Sequence, residues 1–239
     1  MKIAIFLLLF INILIGSVDL KQQIVDINKI ENNNIYINKG DLTVGQSGVV
    51  INNYKNHNNQ SSIILATGII TSTNKDFSIA KITYESINEQ DAMPTINKKV
   101  SNEDKFILNH LYKTSVMIVP NFRVKKEIIK VYPNQIFLNE DFLASYLKVE
   151  DTPIPTQDDI IEFCKKQQVG LIFLVVDNKL YIIDTQSFKV IDTKEITVKD
   201  KFIKVPFFSN IEKIEKATFD FGADKIEDYN KHYLNMIGK

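Results

Sequence analysis

Residues 169–176 read "VGLIFLVV", an apolar run without a break. A strand with one face in water alternates apolar and polar side chains. An unalternating run needs cover on both faces and belongs in the middle of a sheet. The cover must come from helices close by in the chain, and the flanking sequence supplies them. "TQDDIIEFCKKQQ" (156–168) opens with Thr156 at an N-cap position, Asp159 three residues on and acid in the first turn, the pattern of a capped helix start. "NFRVKKEIIKVY" (121–132) and "EDFLASYLK" (140–148) carry apolar residues at helical spacing, and a last helix is predicted over 223–237, with Ile226, Tyr229, Tyr233 and Ile237 on one side. "DTPIPT" (151–156) is an extended connector, because each proline biases its predecessor away from helix. "QIFLN" (135–139) reads as a strand, and "KLYIID" (179–184) and "FKVIDTKEI" (188–196) follow the apolar run through short turns as a meander. The second half is therefore predicted to be a mixed α/β layer, with one βαβ crossover joining 135–139 to 169–176.

The first half has a different period. "QQIVDIN" (22–28), "NIYIN" (34–38), "SGVVINNY" (47–54), "SSIILATGII" (61–70), "FSIAKITYE" (77–85), "KFILNHLY" (105–112) and "SVMIVP" (115–120) are rich in β-branched and aromatic residues, with Asn, Gly, Lys and Asp between them. Short strands at this spacing predict a small β-barrel or sandwich. In "GDLTVGQSGVV" (40–50), Gly45 and Gly48 can supply a tight corner at positive φ. No helix follows and the phosphate-loop lysine is absent, so this stretch is not a nucleotide loop. The period changes near Pro120. The expected fold class is α+β: a β-barrel-like domain over 18–120, then a mixed α/β domain over 121–239.

Ahead of both, "MKIAIFLLLFINILIGS" (1–17) has a positive start at Lys2, an apolar run and then small residues. That is the order of a secretory signal peptide, and the run is too short to span a bilayer comfortably. Export is expected, to the periplasm or cell surface of a Gram-negative bacterium, with membrane contact only through the signal segment before its cleavage. The chain carries 29 basic and 29 acidic residues, and Arg123 is the only arginine. A balanced charge gives no reason to expect nucleic acid or anionic lipid as partner. Cys164 is the only cysteine. An internal disulfide is thus impossible, the hydrophobic core must hold the fold, and Cys164 reads as a core thiol on the face of Ile160 and Ile161.

Catalytic chemistry finds little support. The histidines are His57 in a polar loop, His110 in a predicted strand and His232 near the end. There is no paired-histidine zinc motif, nucleophile elbow or paired-cysteine pattern. Asp228 and His232 are four apart on the predicted helix, but two ligands make a poor metal site. Glu150 with Asp151, and Asp158 with Asp159, are adjacent carboxylates, not facing ones. Ser17, Ser47 and Ser209 have no histidine that the sequence places beside them. No catalytic residue, cofactor site or metal site is assigned, and an enzyme is not expected. In "KVPFFSNIEKI" (204–214), Phe207 and Phe208 read as a core plug, with an exposed anchor as the alternative.

"GDLTVGQSGVVI", "MPT" (93–95), "VGLIFLVVDNKLYIID" with Cys164 just upstream, and "PFFSNIEKI" occur in an order and spacing that resembles the N-terminal domain of the plasminogen-binding protein A (PgbA) family of helicobacter-type bacteria, over roughly 22–236. The resemblance implies an exported, surface-exposed protein that binds host plasminogen through a C-terminal lysine, which fits the lysine-binding pockets of kringle domains. The matching residue here is Lys239, one glycine beyond the predicted last helix. In that family a long Lys/Glu-rich tail follows the domain. The alternative from another class is a periplasmic structural or assembly protein of the cell envelope with no host ligand.

Overall fold

A computed structural model describes residues 18–56, 59–84, 98–196, 202–211 and 226–239. The expected signal segment, His57 and the "MPT" stretch lie outside them.

The first six strands are β1 (Gln23–Glu31), β2 (Asn34–Ile37), β3 (Ser47–Asn56), β4 (Asn59–Thr73), β5 (Ser78–Thr83) and β6 (Lys105–Leu108). They close into an antiparallel barrel in the order β1-β2-β5-β4-β3-β6, so the barrel alternative is the one realised. The β1–β2 hairpin turns on Asn32 and Asn33, both at positive φ, as a two-residue loop between twisted strands requires. Register shifts at Ile27/Lys29, Val50/Ile51 and Ile70/Ser72 bend the strands around the closure. The interior is filled by Ile35, Ile37, Val50, Ile70, Ala80, Ile82, Leu108 and, most of all, Phe106. The Phe106 ring lies against two glycines: a Cβ at Gly48 would come within 2.6 Å of it and one at Gly68 within 2.8 Å. Of the two glycines expected to turn a corner, only Gly45 has positive φ (103°). Gly48 is required for room instead.

The second sheet has the order β11-β10-β9-β7-β8, from β7 (Thr114–Ile118), β8 (Ile136–Leu138), β9 (Leu171–Val176), β10 (Lys179–Asp184) and β11 (Val190–Glu195). β7 pairs in parallel with both β8 and β9, and the other pairs are antiparallel. One expectation is corrected here. The strand just before Pro120 belongs to this sheet and not to the barrel, whose last strand ends at Leu108. The strands at 135–139 and 169–176 run parallel in this sheet and are joined through the helical segment between them, as expected, in a crossover that passes over β7. The cause is visible in β7 itself: Ser115, Val116, Met117 and Ile118 are all buried, the mark of a strand covered on both faces, whereas β1 and β5 alternate.

The helices are α1 (Phe122–Val131), α2 (Glu140–Val149), α3 (Gln157–Lys166) and α4 (Tyr229–Met236). Asn121 caps α1, Asn139 caps α2, and Thr156 with Asp159 forms the capping box of α3. α4 begins at Tyr229 behind its cap Asp228, later than the spacing suggested. α1 covers one face of the sheet, placing Val124 and Ile128 against Met117, Leu171, Phe173 and Val175. α2, α3 and α4 cover the other, over Val116, Ile118, Ile172, Leu174, Tyr181 and Ile183. Consecutive residues of β7, β9 and β10 thus point to opposite cores, as the unalternating run at 169–176 demanded.

Candidate functional site

Lys239 leaves the fold from the end of α4. That helix is anchored by two buried tyrosines. The Tyr229 hydroxyl donates to the carbonyls of Ile118 (3.2 Å) and Val175 (3.0 Å), and the Tyr233 hydroxyl donates to that of Pro206 (2.7 Å). Burial pushes both phenols above their ordinary range. Beyond the helix, Gly238 turns at φ 69° and the Lys239 amide donates to the Leu234 carbonyl (2.9 Å). This is a left-handed C-terminal cap that non-glycine residues adopt poorly. The side chain is exposed, and its ammonium lies 5.5 Å from the centroid of the Tyr181 ring. A cation over a ring at an exposed site gains only about 0.5–1 kcal/mol, so the ammonium can be drawn away by a stronger partner.

A second group of polar residues, which the sequence reading did not bring together, sits where the barrel meets the sheet. Asp184 ends β10 with no exposed surface. Its carboxylate accepts from Ser47 Oγ of β3, from the Tyr112 hydroxyl (2.8 Å) and from the Ser187 amide (2.6 Å). The Tyr112 hydroxyl in turn accepts from the Ser47 amide (3.2 Å), and Ser187 Oγ donates to the Gly45 carbonyl (2.7 Å). Next to this, Gln46 donates to Asn109 (3.1 Å), whose amide donates to the carbonyls of Asp19 and Lys21. Burial raises the Asp184 carboxyl above the usual carboxylate range, against the opposing pull of its donors. Burial, with the Asp184 charge behind it, holds the Tyr112 phenol well above its own range. Ser47 does have an acidic partner, but both are sealed from solvent; the arrangement clamps two modules and presents no reactive group. One signal for it was in the sequence: Asp184 closes an otherwise apolar strand whose alternate positions are all buried.

The remaining candidates take structural roles. His110 lies in a turn after β6, not in a strand, and its Nδ1 is buried without a partner. Asp228 accepts from the Lys231 amide as the cap of α4, while His232 Nε2 meets the Pro155 carbonyl at 3.1 Å. Among the described residues no cluster of three or more His, Cys, Asp or Glu side chains can hold a metal ion. Cys164 is buried and its thiol is pushed up to about 12 by desolvation. Phe207 is fully buried among Tyr229 and Tyr233, the core-plug alternative, whereas Phe208 packs part-buried on the α1 side. No described helix is long and apolar enough to cross a membrane.

The described residues form a closed β-barrel clamped to a helix-covered mixed sheet, an α+β architecture. Over residues 19–237 the chain matches the family described as Plasminogen-binding protein pgbA N-terminal, and it belongs to that family. It is similar to Plasminogen-binding protein PgbA of Helicobacter pylori strain J99 / ATCC 700824, with 24% identity over 206 residues, covering 83% of this chain and 43% of that protein. The protein of the same name from strain ATCC 700392 / 26695 is 23% identical over 202 residues, with 83% and 43% covered. The chain therefore spans less than half the length of these relatives. No solved structure matches. The resemblance read from the residues is borne out at the level of the family.

Proposed function

We propose that this chain is an exported binding protein, displayed at the cell surface and without catalysis of its own, that captures plasminogen with Lys239 in a kringle lysine-binding site. The observation that carries the reading is the family match over residues 19–237, together with the name its relatives bear. The exposure of Lys239 and its weak hold on Tyr181 support it. A lysine at a chain terminus offers an ammonium and a carboxylate at fixed separation, which internal lysines lack. About three charge-assisted hydrogen bonds at ~1.5–3 kcal/mol each, less ordering costs, correspond to roughly millimolar to micromolar binding.

The test immobilises residues 18–239, which contain every described element, beside versions with Lys239 deleted, with Lys239→Ala, and with one alanine added after Lys239. Plasminogen capture is measured with and without a free lysine analogue. Capture by the unaltered chain alone, competed by the analogue, is the expected result. Equal capture by all versions removes Lys239 from the reading. A second reading, a periplasmic structural or assembly protein of the envelope, is favoured by one fact: the match covers 43% of the named relatives, so their named activity can reside in the remainder. Capture by none of the versions would select it.

A further inference from the structure

The chain as a whole is neutral, but α1 is not. Its ten residues hold Arg123, Lys125, Lys126 and Lys130 against a single acid, Glu127. Two of these cations are matched: Lys125 with Glu140 on α2 (2.5 Å) and Lys130 with Glu127 (3.0 Å). Arg123 and Lys126 make no ion pair among the described residues. The inner stripe of the helix, Val124 and Ile128, is buried in the sheet, so the unmatched charge faces outward. Large apolar groups share that outward face. Phe122 is 48% exposed and Ile129 41%. The segment after the second sheet extends the patch. Lys204 donates its amide to the Pro120 carbonyl (2.8 Å) and Asn121 donates to the Phe202 carbonyl (3.1 Å), which sets the exposed Ile203 beside the start of α1. The Lys126 ammonium stands 4.5 Å from the centroid of the Phe122 ring.

Exposed aromatics of this size cost solubility unless something covers them. The cover must be anionic, to match Arg123 and Lys126. It must also be able to admit rings that stand out from a convex helix. We propose that the outer face of α1 docks on an anionic lipid surface, with Phe122 and Ile129 entering the headgroup layer and Arg123, Lys126 and Lys130 at the level of the phosphates. Interfacial helices combine apolar burial with attraction to anionic headgroups in this manner. The docking is peripheral, and it does not depend on plasminogen or on Lys239.

The experiment is vesicle flotation of residues 18–239 with phosphatidylcholine vesicles, alone or containing about a third phosphatidylglycerol. The chain is expected to float with the anionic vesicles only, and less so as salt shortens the reach of the charges. Each basic residue near a membrane surface is worth about fivefold in partitioning, so Arg123→Gln with Lys126→Gln should weaken it about 25-fold. Ile129→Ser should weaken it without changing net charge. Lys75→Glu with Lys81→Glu on the barrel, a larger change in net charge, should leave most of it. Unchanged thermal melting of each variant shows that the fold is intact. Equal flotation by the α1 and barrel variants would overturn the proposal, as would no flotation with anionic vesicles. Capture of poly-glutamate through Arg123 and Lys126 without vesicle binding would also overturn it, and would assign the face to an acidic protein.

Discussion

Replacing Asp184 tests whether the barrel and the sheet are held together by a buried carboxylate. Asp184→Ala leaves three donors without an acceptor: Ser47 Oγ, the Tyr112 hydroxyl and the Ser187 amide. Ser47 and Tyr112 are buried, and a stranded buried donor costs about 1–3 kcal/mol. The loss should total about 3–5 kcal/mol, a large part of the 5–15 kcal/mol typical of a domain. Asp184→Asn is the more informative change, because it keeps the shape, keeps an acceptor for Ser187 and removes the charge. The hydroxyls of Ser47 and Tyr112 must then turn, and Tyr112 already accepts from the Ser47 amide, so about 1–3 kcal/mol should be lost at acid pH. The dependence on pH follows from the raised carboxyl of Asp184. The folded state holds that proton more tightly than the unfolded chain does. The stabilisation from the neutral form is therefore complete below the ordinary carboxylate pKa and fades as pH rises through the folded value. The gap between wild type and Asp184→Asn should narrow with rising pH, by about 1.4 kcal/mol for each unit by which the carboxyl is raised. Urea unfolding of both proteins between pH 4 and pH 8 measures it. A gap that stays constant or widens would refute the reasoning, because it would mean that Asp184 is ionised and stabilised by its three donors.

Other perturbations follow from the packing. Gly48→Ala places a Cβ 2.4 Å from the Ile107 carbonyl oxygen; backbone cannot yield there as a side chain can, and urea unfolding should show about 2–3 kcal/mol lost. Phe207→Ala empties a fully buried site between α4 and the sheet and should cost about 3–5 kcal/mol in the same assay, with Phe208→Ala costing clearly less. Cys164, buried with its thiol raised to about 12, should resist an aromatic disulfide reagent at pH 8 in the native protein and react fully once unfolded; rapid native labelling would contradict its burial.

The elements that depend on local chemistry were legible in the chain. The helix at 157–166 announced itself by Thr156 and Asp159, and both residues bond as a capping box requires. The run at 171–176 demanded two cores and has them. What depends on long-range pairing was not legible. β7 was grouped with the strands nearest it in the sequence, because pairing order is set by the global closure of a sheet and not by any one strand. Asp184 finds its acceptor role through Ser47, on a strand of the other module, and no spacing rule reaches that far. The Lys239 contact with Tyr181 depends on where α4 docks. The basic face of α1 was hidden by arithmetic: 29 charges of each sign cancel along the chain although they do not cancel in space.

The two proposed surfaces stand on opposite sides of one sheet, which makes a joint test possible. α1 covers the face of Phe173 and Val175. α4, which carries Lys239, covers the face of Ile172, Leu174 and Tyr181. A helix layer, the sheet and a second helix layer lie between them, roughly 20 Å of packed protein. A chain resting on a lipid surface through Phe122 and Lys126 would hold Lys239 away from that surface, open to a large soluble partner. The two sites should then act independently, since effects at well-separated positions add. Deleting Lys239 should leave flotation with anionic vesicles unchanged, and Arg123→Gln with Lys126→Gln should leave plasminogen capture unchanged. Chains already bound to vesicles should capture plasminogen as well as free chains do. If vesicle binding instead blocks capture, the lysine does not face away from the lipid, and either the docking face or the plasminogen contact has been placed wrongly. Capture by vesicle-bound chains that is lost with Lys239 but not with Arg123 and Lys126 would support both placements at once.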